Sequence, residues 1–381
     1  MTKIPGRKIL LFADWYPPAY KAGGPIRSCE NFVSHLHPYY EIFVLTGSSD
    51  LNETHALQGI PENQWTAHDS GAKVYYASSG HQTWNKIRTL INEVNPVFIY
   101  MNSMFSLKST IFPMLMNRLG MIDGKIFLSP RGMLKTSALA FKSPKKKLYL
   151  KLLNITGIIK RIQFVASDAK EALEVNSSFP GARIEVAPNF PGKIGEAPLF
   201  ITKKPGNLSI LFIGRIHPIK NLDILLKSIP VTNNSIDLTI AGLLENPAYW
   251  EECQRIIAQF PPNVRVTFKG DLPHHQLIEL YRTHHILVLP TQGENFGHAI
   301  FESLSVGRPV IISDQTPWKN LQRSNAGWDL PLAIDAFHSA LARAVEWNQE
   351  EYDTYSSGAY QLALNYINNS NLIERYKQIF N

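Results

Sequence analysis

The 381-residue sequence has little cysteine and no long apolar run. Cys29 and Cys253 lie far apart and lack the spacing of metal ligands, so they favour buried thiols in a reducing cytoplasm over a disulfide framework. No stretch approaches the ~20 apolar residues of a membrane-spanning helix. Only a short apolar run precedes Asp14, which predicts a first strand rather than a signal peptide. We therefore expect a cytoplasmic protein, free or at the inner face of the membrane.

Several signatures of cofactor and metal binding are also missing. No strand–helix junction carries the G-x-G-x-x-G pattern of dinucleotide-binding folds, which weakens an NAD-linked function. The sequence contains no Walker loop, no Asp-x-Asp pair and no Cys/His cluster, so a dedicated metal site is unsupported. We expect neither a cofactor nor a metal.

The charge that is present is unevenly placed. The chain is 44% hydrophobic and 18% charged, an ordinary globular balance, and its length suits two α/β units. Residues 1–195 hold 23 basic and 13 acidic side chains, a net charge of +10, whereas the rest holds 15 and 18. A basic half indicates an anionic partner, and nucleic acid, a membrane surface or a phosphorylated substrate would all fit.

Short apolar runs alternate with helical patterns along almost the whole chain, which predicts parallel sheets with helices on both faces. A Pro/Gly-rich stretch at 191–207 indicates a linker. We place one Rossmann-like domain at 1–195 and a second at 205–365, and the helical segment at about 366–381 is a candidate for packing on the first. The predicted strands lie at 8–12, 42–46, 97–101, 125–129, 163–166, 209–213, 236–241, 264–269, 286–289 and 309–313.

Two loops that follow buried strands contain candidate functional residues, because open parallel sheets bind ligands outside the carboxyl ends of their strands. In the first loop, Gly214 and Arg215 follow a strand, and a helix is predicted to start near Asn221. A helix N-terminus, the planar fork of Arg215 and the point charge of Lys220 could neutralise a diphosphate without a metal. The alternative is that both cations are solvated loop residues.

The second loop carries two glutamates eight residues apart. Glu294 follows a strand and could accept hydrogen bonds from sugar hydroxyls, and Gly297 frees backbone N–H groups for a phosphate. Glu302 falls among apolar helix residues, where a buried carboxylate needs a partner such as a ribose diol. The alternative is an ordinary acidic helix start plus an exposed glutamate. A weaker signal is Gly23-Gly24, which either permits close approach to a ligand or forms an ordinary turn.

The order Gly214-Arg215…Lys220-Asn221, then Glu294…Glu302 containing Glu-x-Phe-Gly, then Gly307-Arg308-Pro309, resembles glycosyltransferase family four. This is a large retaining family of the GT-B fold, in which two Rossmann-like domains face each other across a cleft. The resemblance extends from Lys8 to about Leu364. It implies metal-independent transfer of a hexose from a UDP- or GDP-sugar to a glycan or lipid-linked saccharide, in surface polysaccharide synthesis.

The resemblance also implies roles for single residues. Arg215 and Lys220 would hold the donor's diphosphate, Glu294 would contact the transferred sugar, and these three would carry catalysis. Glu302 would bind the ribose. The remaining donor contacts would come from Gly23, Gly24, Gly214, Phe296, Gly297 and, around the base, Asp271 and Leu272.

Two positions depart from the family's pattern. Many relatives place a histidine after a mid-domain strand, where this chain has Arg131. Arg131 either takes over part of that role or anchors an anionic acceptor. Trp318 stands where many relatives have a glycine-rich turn; it either stacks on a sugar or packs inside the domain, and we favour packing.

The segment 133–161 mixes lysines with leucines. Such a basic amphipathic stretch predicts contact with anionic lipid headgroups, and the alternative is a solvated helix face. Its basic residues are Lys135, Lys142, Lys145, Lys146, Lys147, Lys151, Lys160 and Arg161.

Two other functions remain to be distinguished from glycosyl transfer. A nucleotide-sugar epimerase on the same fold needs no acceptor, so product analysis with donor alone would separate it. A nucleic-acid-binding protein is motivated by the sequence pI of about 9.2 and predicts salt-dependent binding. That function leaves Glu294 and Glu302 unexplained, so we expect no nucleic-acid partner.

Overall fold

The computed structural model describes residues 7–135, 139, 143–194, 198 and 200–381. The chain forms two compact units. Unit 1 comprises Met1–Phe190 together with Asn371–Asn381, and unit 2 comprises Pro191–Ser370. The division after Phe190 lies five residues before the predicted end of the first domain, and the returning segment starts at Asn371 rather than at about 366.

Unit 1 is built on a sheet with the strand order β3-β4-β2-β1-β5-β6-β7-β8. Its strands pair in parallel except β3, which runs antiparallel to β4 at the edge. The strands are β1 Lys8–Phe12, β2 Glu41–Gly47, β3 Trp65–Ala67, β4 Lys73–Ala77, β5 Phe98–Met101, β6 Lys125–Leu128, β7 Ile162–Ala166 and β8 Arg183–Val186.

The helices of unit 1 connect these strands and cover the sheet. Four central strands, β1, β2, β5 and β6, are almost wholly buried, which explains their continuous apolar sequences. The helices are α1 Gly24–Leu36, α2 Trp84–Val94, α3 Phe112–Arg118, α4 Ser143–Thr156, α5 Ala169–Ser178 and α12 Leu372–Ile379, with 3-10 turns at Ser79–His81 and Ile158–Arg161 and a π-helical turn at Leu107–Ile111.

Unit 2 contains an all-parallel sheet with the order β11-β10-β9-β12-β13-β14. Its strands are β9 Asn207–Ile213, β10 Ser235–Ala241, β11 Val264–Phe268, β12 Ile286–Leu289, β13 Val310–Ser313 and β14 Gly327–Leu330. Its helices are α6 Leu222–Ser228, α7 Pro247–Ile257, α8 His274–Thr283, α9 His298–Ser305, α10 Ile334–Glu346 and α11 Gln349–Asn369, with 3-10 turns at Pro218–Lys220 and Leu321–Ser324.

The C-terminal helix α12 packs into the aromatic core of unit 1. The ring of Tyr376 stacks on Phe190 with 4.7 Å between centroids, and Phe380 lies 5.2 Å from Phe98. Arg7 Nη1 donates to the carbonyl oxygen of Phe380 over 2.8 Å. Buried aromatic pairs of this kind fix the end of the chain to the first sheet.

Both cysteines are free and buried. Burial raises the pKa of the Cys29 thiol to about 12 and that of Cys253 to about 11, as expected for unreactive structural thiols. No helix in the described part of the chain has the length and apolar character needed to cross a membrane.

Candidate functional site

The loops after β9 and β12 are joined to each other at the carboxyl ends of these neighbouring strands. Asn221 Nδ2 donates to the carbonyl of Pro290 over 2.8 Å, and the Gln292 amide donates to the carbonyl of Ile219 over 2.8 Å. The two segments that carry the sequence motifs therefore form one continuous surface of unit 2.

Lys220 and Glu294 form an ion pair between these two loops, with Lys220 Nζ donating to Glu294 Oε1. The side chains are only 15% and 17% exposed, so the pairing helps to compensate two mostly buried charges. Gly214 lies beneath the lysine, because a Cβ added there would meet Lys220 Cγ and Cδ at 3.6 Å. The structure thus brings together three of the predicted site residues.

Arg215 points to a different carboxylate. Its Nη1 lies 2.6 Å from Glu245 Oε2, and the two side chains are 46% and 39% exposed. Exposed ion pairs contribute little to stability, so Arg215 can change partner at small cost.

Glu302 lies on α9 and is satisfied by protein groups. Its Oε1 is 3.0 Å from His274 Nε2, and its Oε2 accepts a hydrogen bond from the Tyr281 hydroxyl over 3.2 Å. We expected a ligand to supply this compensation, but α8 does so, with His274 and Tyr281 seven residues apart and therefore on one helix face. Sequence reasoning missed both residues, although that spacing was a usable signal.

The turn into α9 is held in place by packing. Gly297 has φ 79° at the N-cap, and a Cβ there would lie 2.9 Å from Ile300 Cδ1, so both backbone conformation and space favour glycine. Trp318 is buried and its Nε1 donates to the carbonyl of Phe296 over 2.6 Å. The expectation that Trp318 packs inside the domain is confirmed.

Asn295, which the sequence did not single out, lies between Glu294 and Phe296. Its Nδ2 is buried and has no hydrogen-bond partner among the described residues.

The carboxyl ends of β9, β10 and β11 approach one another through glycines. A Cβ at Gly242 would lie 2.0 Å from the carbonyl oxygen of Gly214, which forbids a side chain there. The Gly242 amide donates to the carbonyl of Gly270 over 2.7 Å. Asp271 and Leu272 follow directly and are partly buried, just before α8 begins.

The helix start predicted near Asn221 differs in detail. A 3-10 turn comes first, Asn221 has φ 49°, and α6 begins at Leu222. The Asp223 amide, in the first turn of α6, donates to the Tyr249 hydroxyl over 3.0 Å. One of the N–H groups expected to face a phosphate is therefore already bound.

The predicted residues of unit 1 lie in two places. Gly23 has φ 63° at the N-cap of α1 with Gly24 next to it, and both are exposed. Arg131 has φ 53° and lies inside the unit, where its Nε donates to Asn102 Oδ1 over 2.7 Å. Its Nη1 is buried and has no partner in the described part of the chain. The donor role of the glycines and the acceptor role of Arg131 stay predictions.

No group of three or more His, Cys, Asp or Glu side chains that could hold a metal occurs among the described residues. Whether the reaction needs a metal stays a prediction.

The chain is similar in sequence to known glycosyltransferases. Residues 199–361, most of unit 2, match the family described as glycosyl transferases group 1. The O-antigen chain mannosyltransferase RfbU of Salmonella typhimurium is 26% identical over 217 residues, which cover 52% of this chain and 60% of that protein. The matched segments span 28% to 60% of the lengths of the curated relatives.

Solved structures resemble the whole chain. Sucrose-phosphate synthase from Thermosynechococcus elongatus has a TM-score of 0.68 at 16% identity, covering 98% of this chain and 99% of that one. Anabaena HepE in complex with UDP-glucose has a TM-score of 0.66 at 15% identity, covering 98% of both chains. The fold is GT-B. The fold predicted from the sequence is confirmed. Both motif loops lie in unit 2, within the residues that match the family of group 1 glycosyl transferases.

Proposed function

We propose that this protein transfers a hexosyl group from a UDP- or GDP-sugar to a saccharide or lipid-linked saccharide, with retention of configuration and without a metal. The Lys220–Glu294 pair, placed at the carboxyl ends of β9 and β12, carries the proposal. It puts a cation for a diphosphate beside an acceptor for sugar hydroxyls. The resemblance to a UDP-glucose complex and to an O-antigen mannosyltransferase supports the substrate classes.

Donor binding would exchange the partners of this pair. Lys220 and Glu294 are both mostly buried, so separating them is costly unless each gains a new partner. A nucleotide sugar supplies both, since a phosphate oxygen replaces the carboxylate at Lys220 and a sugar hydroxyl replaces the ammonium at Glu294. A nucleotide without a sugar supplies only one.

Catalysis would then depend on stabilising the diphosphate leaving group. Negative charge grows on the diphosphate as the anomeric bond breaks, and cations placed there beforehand stabilise the transition state more than the ground state. Lys220 is fixed by its loop for this task, and Arg215 would leave Glu245 to join it. Glu302 would bind the ribose diol through the carboxylate that His274 and Tyr281 hold in place.

The test is release of UDP or GDP from a panel of nucleotide sugars, followed by NMR of the anomeric configuration of the product. We expect turnover that survives EDTA and falls at least about tenfold in Lys220→Met. Lys227→Met, which removes an exposed lysine of unit 2, is the matched control. Turnover equal in both variants, or absent with every donor, would contradict the proposal, and a new sugar nucleotide formed from donor alone would indicate epimerisation.

We also propose that the outer face of α4 contacts an anionic membrane. Leu148, Leu152 and Ile155 are 59%, 50% and 71% exposed and follow helical spacing, while Lys145, Lys147 and Lys151 are exposed around them. Residues 124–167 contain ten Lys and Arg and no Asp or Glu. An apolar stripe within basic surroundings is the pattern of a helix that lies on anionic lipid. Lys142, which belongs to the predicted segment, lies outside the described residues.

Sedimentation with vesicles tests this contact. Binding to phosphatidylglycerol/phosphatidylcholine vesicles should exceed binding to phosphatidylcholine alone and should fall in the triple variant Leu148→Ser, Leu152→Ser, Ile155→Ser. A matched substitution of the exposed Leu173 should have no effect. Equal vesicle binding by the wild type and the triple variant would contradict the membrane contact and would mean that this face of α4 is solvated.

A further inference from the structure

Arg308 lies in the motif Gly307-Arg308-Pro309, which neither donor binding nor catalysis as proposed involves. The residue comes shortly after the end of α9 and is only 1% exposed. A guanidinium buried to this degree is costly unless protein groups accept its N–H donors. The contacts of Arg308 therefore indicate what the motif holds together.

The Arg308 guanidinium binds the C-terminal end of α8. Its Nε donates to the carbonyl oxygen of Tyr281 over 2.9 Å, and its Nη2 donates to the carbonyl oxygen of Arg282 over 2.9 Å. The last carbonyls of a helix lack partners within the helix and carry partial negative charge, so a cation there is favourable. The planar fork reaches both carbonyls at once, which the single ammonium of a lysine does not reproduce.

The backbone of Arg308 is bonded to α9. Its amide donates to the carbonyl oxygen of Ser303 over 2.9 Å, and the Ser303 hydroxyl donates to the Arg308 carbonyl over 3.2 Å. Ser303 is buried and follows Glu302 directly. One residue thus joins the end of α8 to the turn of α9 that carries Glu302.

Tyr281 connects this junction to the Glu302 carboxylate. Its carbonyl is held by Arg308, and its hydroxyl donates to Glu302 Oε2 over 3.2 Å. Tyr281 is 1% exposed, so its side chain has little room to move independently of α8. His274, at the other end of α8, contacts Glu302 Oε1. A shift of α8 would therefore move both partners of the carboxylate together.

We propose that Arg308 is a positioning residue for ribose recognition. It locks α8 against α9, so that Tyr281 and His274 hold the Glu302 carboxylate in one orientation for the two ribose hydroxyls. Because the guanidinium is buried and bonded to the backbone, it acts through α8 and not on the nucleotide. This inference rests on the proposed function, in which Glu302 binds the ribose.

The variant Arg308→Lys tests the lock, because it keeps the charge and removes the fork. Calorimetry on the full chain would compare UDP and GDP with their dideoxyribose counterparts, which lack both ribose hydroxyls. Arg308→Lys should weaken the nucleoside diphosphate that the wild type binds by about tenfold, and it should leave affinity for the dideoxy counterpart unchanged. Arg282→Lys, which changes an exposed arginine on the same helix, is the matched control.

Tyr281→Phe is the second variant and keeps the test decisive if Arg308→Lys folds poorly. It removes only the hydroxyl that binds Glu302, so it should produce the same loss for the ribose nucleotide alone. In a Glu302→Gln background neither change should weaken the nucleotide much further, since both act on the carboxylate that is gone. Equal losses for the ribose and dideoxyribose nucleotides, or full additivity with Glu302→Gln, would overturn the proposal.

A readout without nucleotide separates this inference from the proposed function. The NMR chemical shift of His274 Nε2 reports its contact with Glu302, and in Arg308→Lys it should move towards its value in Glu302→Gln. That movement, with no nucleotide bound by the wild type, would retain the lock on Glu302 and reject ribose binding together with the proposed function. Nucleotide binding by the wild type, with an unchanged His274 shift and unchanged affinity in Arg308→Lys, would reject the lock and retain the function.

Discussion

The two units treat the polar groups at the carboxyl ends of their sheets in opposite ways. In unit 2, Lys220 is paired with Glu294, and Glu302 is held by His274 and Tyr281. In unit 1, Lys108 and Thr46 have no partners among the described residues. A group that is paired within the protein must exchange its partner when a ligand binds, whereas an unpaired cation such as Lys108 need not.

The net charge of each half of the chain does not reveal which of its polar groups are paired. Residues 1–195 carry a net charge of +10, and the remainder, which contains the proposed diphosphate site, has 15 basic and 18 acidic side chains. The proposed diphosphate site thus depends on local pairing rather than on net charge, which acts mainly on long-range attraction.

Lys220→Met should have the largest effect, because it removes the cation that is paired with the mostly buried Glu294. Breaking one partner of a buried pair costs about 3–5 kcal/mol of stability, which denaturant unfolding would measure. The variant should also lose affinity for UDP or GDP by roughly 1.5–3 kcal/mol, measured by calorimetry.

The double variant Lys220→Met, Glu294→Gln separates these two losses. It should recover most of the stability and none of the nucleotide affinity, since the carboxylate that lost its lysine partner is gone but the cation is still missing. Recovery of both would mean that Lys220 acts on the nucleotide only through folding.

The folding stability of unit 2 should fall at acidic pH because of His285. Burial lowers the pKa of this histidine from 6.5 to about 4, and its Nδ1 accepts from the Ser209 amide over 2.9 Å, which requires the unprotonated nitrogen. The unfolded state then binds more protons between pH 6.5 and 4, so stability falls as pH decreases through that window, by up to about 3 kcal/mol.

His285→Gln should remove much of this pH dependence. Unfolding free energies at pH 7 and pH 4.5, with hydrogen exchange to assign the loss to unit 2, are the measurements. An identical pH profile in the variant would show that other groups, such as His284, whose pKa burial also lowers, control the acid response.

The two glutamates should differ in which kinetic constant they change. Glu302→Gln should raise the donor KM more than it lowers kcat, because the ribose is bound equally in ground and transition states. Glu294→Gln should lower kcat, because the activation free energy should rise by roughly 2 kcal/mol. It should also keep or improve affinity for bare UDP or GDP, because Lys220 no longer has to leave a carboxylate. The reverse pattern in steady-state kinetics and calorimetry would exchange the two roles.

The sequence predicted the sheets well and the site only in part. The central strands match within one or two residues, because strands buried on both faces have continuous apolar sequences. The strands β3, β4, β8 and β14 and the helix α10 were missed. For β3 the reason is that a three-residue strand has no readable period and pairing at an edge is a long-range property.

Within the site, only residues that belong to an ordered motif could be found in advance. Glu294 and Glu302 are recognisable by their separation, whereas the contact of His274 with Glu302 joins positions 28 residues apart and depends on how α8 packs against α9. Asp14, Thr46 and Lys108 line one small recess although they lie far apart in the sequence. Their chemistry comes from tertiary structure rather than from any local pattern.

Changing the exposed Arg215–Glu245 pair should have the smallest effect on nucleotide affinity. It therefore tests the contrast with the buried Lys220–Glu294 pair. Glu245, the partner of Arg215, is 39% exposed, so Glu245→Gln should change nucleotide affinity by no more than about 1 kcal/mol. The direction should be an increase, because Arg215 would no longer have to leave a carboxylate before reaching a phosphate. Since salt screens exposed charges, the gain should shrink as ionic strength rises from about 0.01 to 0.15 M. Calorimetric titration of UDP at both salt concentrations, beside Arg215→Ala, measures it. A loss of affinity in Glu245→Gln would mean that the pair positions Arg215 for the nucleotide rather than competing with it.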